Sequence, residues 1–208
     1  VSTYKAVRSN PEAVYQILRQ FPRGENAYYA VRDGVTQDSS GLWAAARFIY
    51  LNRFCFNGIY RTNMSGRFNV PYGGKGTGAL PTLAKLQEVS RLLKRAELRK
   101  SDFESVLDMA ERGDLVYIDP PYSVGNRRVF KQYGPAVFGL EDLRRLSAKL
   151  GELNNKGVSF VISYACCREA MIFFGSWSSQ RKLTMRNVAG FSEHRRKAVE
   201  MIFTNISH

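Results

Sequence analysis

Apolar side chains recur along this chain with two different periods, and the change falls near its middle. In the first half the spacing is helical: Val14, Ile17, Leu18 and Phe21 stand three and four residues apart, as one face of a helix requires. Pro11 lies just inside the predicted start, with Ser9 and Asn10 as capping candidates. A second helix is predicted over 40–55, with Ser40 near its start and Ala44 to Leu51 as its body. Tyr28 and Tyr29 fall between the two in what reads as a polar connector. The character changes from Phe56 to Gly78, where Gly58, Gly66, Gly73, Gly74, Gly76 and Gly78 accompany Asn57, Asn63, Asn69 and Pro71. Such a tract predicts a hairpin and loop, with Asn63-Met64-Ser65-Gly66 turning between Tyr60-Arg61-Thr62 and Arg67-Phe68-Asn69-Val70. A further helix is predicted over 82–93.

The second half alternates strand and helix. Glu97-Leu98-Arg99 reads as a short strand leading to Ser101-Asp102-Phe103, and a helix follows over 103–111. Leu115-Val116-Tyr117-Ile118 is a short apolar run ended by Asp119-Pro120-Pro121. Residues 140–153 form an amphipathic helix, with Leu143, Leu146 and Leu150 at helical spacing. Val158 to Ser163 predicts a buried strand, and 182–186 and 199–204 complete the strands. Strands alternating with helices imply an α/β domain with a mostly parallel sheet.

Charge adds the first indication of a partner. The 208 residues hold 31 Lys and Arg against 18 Asp and Glu, a formal net charge of +13. This excess favours a polyanion, because each neutralised phosphate releases condensed counterions; a basic but merely solvated surface is the plainer alternative. The hydrophobic share of 44% is that of a folded globular chain. No stretch approaches the roughly 20 apolar residues that span a membrane, and no signal peptide is visible, so a cytoplasmic or nucleoid-associated location is expected. The three cysteines, Cys55, Cys166 and Cys167, form no disulfide framework. With only His194 and His208 beside them, no metal site is expected.

The chemistry concentrates in Asp114-Leu115-Val116-Tyr117-Ile118-Asp119-Pro120-Pro121-Tyr122. A buried strand delivers a carboxylate to its carboxyl end, where α/β folds place ligands. Pro120 pushes Asp119 towards extended backbone, and neither proline has an amide hydrogen to compete with the carbonyl acceptors. Asp119 can accept one hydrogen of an exocyclic amine on a base and the Pro120 carbonyl the other, which localises the nitrogen lone pair. Tyr122 can stack on the ring, a contact worth about 1–3 kcal/mol in single-strand systems. The bland alternative is a strand ending in a proline turn with a capping aspartate.

The Asp-Pro-Pro-Tyr string resembles the catalytic motif of amino-group DNA methyltransferases, in the form usual among adenine methylases. A longer block, Leu51-Asn52-Arg53-Phe54-Cys55-Phe56-Asn57-Gly58-Ile59-Tyr60-Arg61-Thr62-Asn63 followed by Gly66-Arg67-Phe68-Asn69-Val70-Pro71-Tyr72-Gly73, resembles the recognition segment of the Dam-type family. Ser101-Asp102-Phe103 is similar to a family element that holds the adenine of the methyl donor, and Arg195 to Asn205 resembles its closing strand region. The resemblance implies a class I S-adenosylmethionine-dependent methyltransferase fold, Rossmann-like, with a helical and β-hairpin recognition region over 1–94 and a catalytic region over 95–208. It implies methyl transfer from S-adenosylmethionine to adenine's exocyclic amine in double-stranded DNA, in GATC.

By the same resemblance, Asp119, Pro120, Pro121 and Tyr122 hold a flipped-out adenine, and Ser101, Asp102, Phe103 and Asp119 meet the donor. Arg61 and Pro71 read base edges, while Phe56, Asn57 and Ile59 occupy or brace the duplex beside the flipped base. Asn69 joins the DNA-binding set, and Lys75 in its glycine-rich loop contacts phosphate. Arginine binds guanine bidentately, worth roughly 1–3 kcal/mol of discrimination, and an apolar wedge offsets unstacking. Phe56 and Ile59 as ordinary core, and Arg61 as a phosphate contact, are the alternatives.

Two departures from the family pattern stand out. The phenylalanine- and glycine-rich loop that cradles the donor's methionine part has no counterpart here, and neither does an acidic residue for its ribose. The fold is therefore expected to be incomplete and the sequence part of a longer polypeptide. After Ser163, where the family often has asparagine and an acidic residue, stand Tyr164 and Ala165, so an altered supporting contact at the active site is expected from Tyr164. Methylation of a cytosine amine or an RNA adenine, and a DNA-binding remnant without catalysis, are the competing functions.

Overall fold

The computed structural model describes residues 1–34, 41–63, 65–74, 77–121, 138–185 and 197–206. The chain divides between Lys100 and Ser101 into two compact units.

The first unit gathers α1 (Ser2–Ser9), α2 (Pro11–Gln20), α3 (Glu25–Asp33), α4 (Gly41–Phe54) and α5 (Leu83–Leu93). Asn10 caps α2, its Oδ1 accepting from the Ala13 amide at 3.0 Å, and Pro11 occupies the first turn where no amide is needed. Val14 and Leu18 are fully buried, so the apolar stripe read from the sequence faces the core. Thr82 caps α5 through its hydroxyl. Helix α4 is apolar over most of its surface, and Ala45, Ala46, Tyr50, Leu51 and Phe54 lie buried among α1, α2 and α3, as expected of a central helix.

The expected polar connector around Tyr28 and Tyr29 is instead helix α3. Tyr28 is wholly buried, and its ring meets those of Tyr29, Tyr50 and Tyr72. Burial of an aromatic body with its hydroxyl satisfied outweighs the polar composition around it. Helix α1 was not anticipated either: it sends only Val7 fully inward, too little for a periodic signal.

The second unit carries a four-stranded sheet in the order β1-β2-β4-β3, with β1 (Leu115–Ile118), β2 (Ser159–Ala165), β3 (Ser178–Met185) and β4 (Lys197–Thr204). Strand β1 pairs parallel with β2 from Leu115↔Ser159 to Ile118↔Ile162. Helix α7 (Leu140–Asn155) lies between them in sequence, as a parallel crossover requires. Strand β4 is antiparallel to both β2 and β3. The sheet is thus mixed rather than mostly parallel, because β3 and β4 are consecutive and pair as antiparallel neighbours.

Leu143, Leu146, Leu150 and Leu153 of α7 are buried against Phe160, Ile162, Tyr164, Met201 and Phe203 of the sheet. Two short helices complete this core, α6 (Phe103–Leu107) and α8 (Arg168–Phe174). Each fully buried leucine or phenylalanine contributes roughly 1.5–3 kcal/mol by leaving water. The short strand expected at Glu97-Leu98-Arg99 does not form. Residues 97–100 have no regular structure, and Glu97 pairs with Arg99 at 2.6 Å. Strand β1 is accordingly an outer strand of the described sheet, with Leu115 and Tyr117 about two-thirds exposed.

Candidate functional site

The tract 55–74 is an irregular hairpin mounted on the first unit. At its root the Phe56 amide donates to the Pro71 carbonyl and the Gly73 amide to the Phe54 carbonyl, each at 2.9 Å, and Cys55 bridges Tyr72. At its tip Thr62 bridges Phe68. There Asn63 closes the turn, its Oδ1 accepting from the amides of Ser65 and Arg67 at 3.0 Å. Gly66 takes a left-handed backbone at φ 74°, which a side chain would resist.

Between root and tip the two strands are unequal. Phe56 opposes Pro71, and the Asn69 amide donates to the Arg61 carbonyl at 3.1 Å, so Asn57 to Tyr60 arch out opposite Val70. Asn57 is the only non-glycine residue with positive φ (54°) among the described residues. Asparagine tolerates that region best after glycine, and Asn57 is exposed at the crest. Ile59 is half-buried and Pro71 exposed. Phe56 is half-buried and packs on the unit's core, so its plainer reading as core packing holds for part of its surface. Arg61 and Asn69 are joined directly, the Arg61 Nε donating to Asn69 Oδ1 at 3.0 Å. Lys75 lies outside the described residues.

The hairpin is held from beneath by residues whose role the sequence did not show. The Tyr28 hydroxyl donates to the Val70 carbonyl at 2.9 Å, and Arg32 Nη1 donates to the same oxygen at 3.3 Å. Arg32 also lies over the Tyr29 ring, 4.6 Å from its centroid. Arg47 in turn donates to the carbonyls of Val31 and Arg32 at the end of α3. Burial holds the Tyr28 phenol protonated far above its usual range and pushes the Cys55 thiol up to about 11.

In the second unit, Asp119 follows directly on β1, at the carboxyl end of a strand parallel to its neighbour. It is exposed and has no hydrogen-bond or ion-pair partner among the described residues. Pro120 behind it is buried and Pro121 exposed. Tyr122 lies outside the described residues. Ser101 is exposed. Asp102 caps α6, its Oδ1 accepting from the Glu104 amide at 3.0 Å, and the half-buried Phe103 packs on the unit's core. Val116 and Ile118 of β1 pack on that same core, while no hydrogen bond or ion pair among the described residues joins Asp102 to Asp119.

A cluster that no local sequence pattern marks organises this helix start. Arg145, on α7, donates to Asp102 Oδ1 at 2.8 Å, to Glu104 Oε2 at 2.6 Å and to Asp142 Oδ1 at 2.9 Å. Its guanidinium stands 4.8 Å from the Phe103 ring centroid. The paired carboxylates, Glu104 first, raise the Arg145 guanidinium further above its already high range. Asp142 meanwhile accepts from the Gly139 amide at 2.9 Å, tying the cluster to the start of α7. The second Asp102 oxygen has no partner among the described residues.

Tyr164 is fully buried and its ring meets that of Phe174 at 5.7 Å, on the face of β2 that Phe160 and Ile162 also turn to the core. Among the described residues no group of three or more His, Cys, Asp or Glu side chains gathers as a metal site, and no helix is long and apolar enough to cross a membrane.

Residues 1–202 match the family model of the D12 class N6 adenine-specific DNA methyltransferases. The chain belongs to this family. Its D12 class fold is the class I methyltransferase type, here as a mixed α/β unit. Among curated relatives, the type II methyltransferase M1.LlaDCHI of Lactococcus lactis subsp. cremoris is 29% identical over 99% of this chain and 75% of its own length. The type II methyltransferase M.MjaIII of Methanocaldococcus jannaschii is 36% identical over 65% of this chain and 48% of its own. The DNA N-6-adenine-methyltransferase of Escherichia phage P1 is 33% identical over 78% of this chain and 22% of its own. The chain thus spans three quarters of the first relative, about half of the second and about a fifth of the third. In this D12 class chain the charge is uneven: residues 1–100 hold sixteen Lys and Arg against six Asp and Glu, and the remainder fifteen against twelve. The hairpin therefore belongs to the unit with the stronger attraction for phosphate.

Proposed function

We propose that this chain performs site-specific methylation of the exocyclic amine of adenine in double-stranded DNA, with S-adenosylmethionine as donor and GATC as site. The observation that carries the proposal is Asp119. It is an exposed carboxylate without a described partner at the carboxyl end of β1, backed by a buried proline, in a chain of the D12 class.

In this reading the hairpin of the basic first unit engages the duplex. Arg61, with Asn69 bonded beside it, and Pro71 approach base edges, Phe56, Asn57 and Ile59 support the distorted stack, and Lys75 contacts phosphate. The target adenine leaves the stack. Asp119 accepts one hydrogen of its amine and the Pro120 carbonyl the other, with Pro121 and Tyr122 shaping the pocket. Both bonds draw the nitrogen out of conjugation with the ring and raise its nucleophilicity. Asp102, through the oxygen that has no partner among the described residues, and the Phe103 ring suit the amine and face of the donor's adenine, with Ser101 alongside. When bound, the donor would supply a sulfonium methyl to the amine nitrogen, its sulfur keeping the electron pair of the broken C–S bond. The amine proton then passes to Asp119 or to water. No side chain forms a covalent bond in the cycle, and orientation supplies the remainder of the rate.

The test is incubation with labelled S-adenosylmethionine and duplexes that contain or lack GATC, followed by digestion to nucleosides. Label in N6-methyladenine from GATC duplexes alone is the expected result. Label in methylcytosine overturns the choice of base, equal label in all duplexes overturns GATC, and the absence of label from every duplex overturns the activity of this chain.

A further inference from the structure

We propose that Asn69 acts through Arg61, as the positioning residue that turns the arginine into a fixed two-pronged base reader. The proposal rests on the reading of Arg61 as a base contact and adds the means by which the contact is made specific.

Arg61 and Asn69 oppose each other across the hairpin, with the Asn69 amide donating to the Arg61 carbonyl at 3.1 Å and the Thr62–Phe68 bridge adjacent. Directly opposed residues project from the same face, which brings the side chains together: Arg61 Nε donates to Asn69 Oδ1 at 3.0 Å. The orientation of the Asn69 amide follows from chemistry, since its NH2 group turned towards the guanidinium would set donor against donor. Nε is the inner edge of the guanidinium. Once it is engaged, the terminal nitrogens remain, and neither has a partner among the described residues. Both side chains are half-buried.

Asn69 is itself anchored. Its neighbour Val70 is buried, and the Val70 carbonyl is held by the Tyr28 hydroxyl and Arg32. A continuous path of hydrogen bonds and backbone therefore runs from the core of the first unit through Val70 and Asn69 to the guanidinium. A guanidinium reads guanine with two parallel bonds to O6 and N7, and that geometry gains from a plane fixed in advance. A freely rotating arginine in so basic a unit would serve phosphates as readily as a base edge.

The experiment selects bound molecules from a pool of randomised duplexes with the full chain, and sequences them. It compares wild type with Arg61→Ala, Asn69→Ala and Asn69→Asp; unchanged helical circular dichroism verifies folding. Arg61→Ala is expected to lose base preference at one position of the site. Asn69→Ala is expected to lose it at that same position, by about tenfold, with the other positions unchanged. Asn69→Asp retains an acceptor for Nε and is expected to retain the preference. A uniform loss of binding in Asn69→Ala across all sequences would reveal a phosphate contact and overturn the proposal, as would an unchanged preference or a loss at a different position. A uniform loss in Arg61→Ala, or a wild type without any preference, overturns the base-reader reading and this proposal with it.

Discussion

At Asp119 a single carboxylate stands at the end of its strand without a described partner, so no hydrogen bond or ion pair among the described residues depends on it. Asp119→Ala should leave thermal stability and DNA affinity close to wild type. It should lower single-turnover methyl transfer roughly a hundredfold or more, as losing a preorganised polar contact to a reacting group does. Transfer above about a tenth of wild type rules out the assigned role. Arg145 provides the contrasting case. It touches no reacting atom in the proposed mechanism, yet it holds Asp102, Glu104 and the Phe103 face together. Arg145→Ala should weaken S-adenosylmethionine binding several-fold in calorimetry, with the single-turnover rate at saturating donor and the DNA affinity unchanged. Arg145→Lys, which keeps the charge but lacks the planar fork, should restore only part of the donor affinity. Equal donor binding by wild type and Arg145→Ala removes the positioning role. The Asp-Pro-Pro-Tyr string marked Asp119 because its chemistry is local to four consecutive residues. Arg145 carries no comparable mark, since its partners Asp102 and Glu104 lie 43 and 41 positions away.

The hairpin shows what an element can and cannot disclose. Its glycine and asparagine content foretold a turn at Asn63–Gly66, and the structure closes the turn there. The arch at Asn57–Tyr60 was not legible, because it arises from unequal spacing between hydrogen-bonded pairs on the two strands. Gly73 was visible only as one glycine among several. In the fold its position is exacting: a Cβ there would stand 2.7 Å from the Cys55 carbonyl and 2.7 Å from a Thr77 methyl. One of these neighbours is backbone and cannot swing aside. Gly73→Ala should therefore open the hairpin root, destabilise the first unit by about 1–3 kcal/mol in urea titrations, and weaken DNA binding as well. Unchanged stability would mean that the root yields without cost. Helix α3 teaches the same lesson in reverse: its polar composition concealed Tyr28, the residue that carries the hairpin.

For the molecule as a whole, the buried ionisable groups beneath the hairpin predict how stability follows pH. The Cys55 thiol titrates near 11 in the folded chain, above an unfolded cysteine near 8.5. The Tyr28 phenol is likewise raised by burial. The folded state thus holds both protons more tightly than the unfolded state. Their contribution is complete below about pH 8.5 and declines through about pH 11, so the melting temperature should fall across that range. Cys55→Ala should flatten part of the decline and Tyr28→Phe another part, measured by thermal melts at fixed ionic strength. A slope identical in wild type and both variants would place the proton release elsewhere.

The sequence by itself determined the helices with clear apolar stripes, the strands around Leu115 and Phe160, the turn of the hairpin and the family resemblance. Each depends on residues close together in the chain, where periodicity reports which face is buried and turn residues report backbone conformation. Tertiary structure alone decided the antiparallel side of the sheet, the absence of a strand at Leu98, and the burial of Tyr164. It also decided the supports that join Val70 to Tyr28 and Asp102 to Arg145. The physical reason is that a strand exists only if a neighbour completes its ladder, and a polar side chain acts through whichever partner folding brings within about 3 Å. Neither the neighbour nor the partner is written in the local spacing of residues.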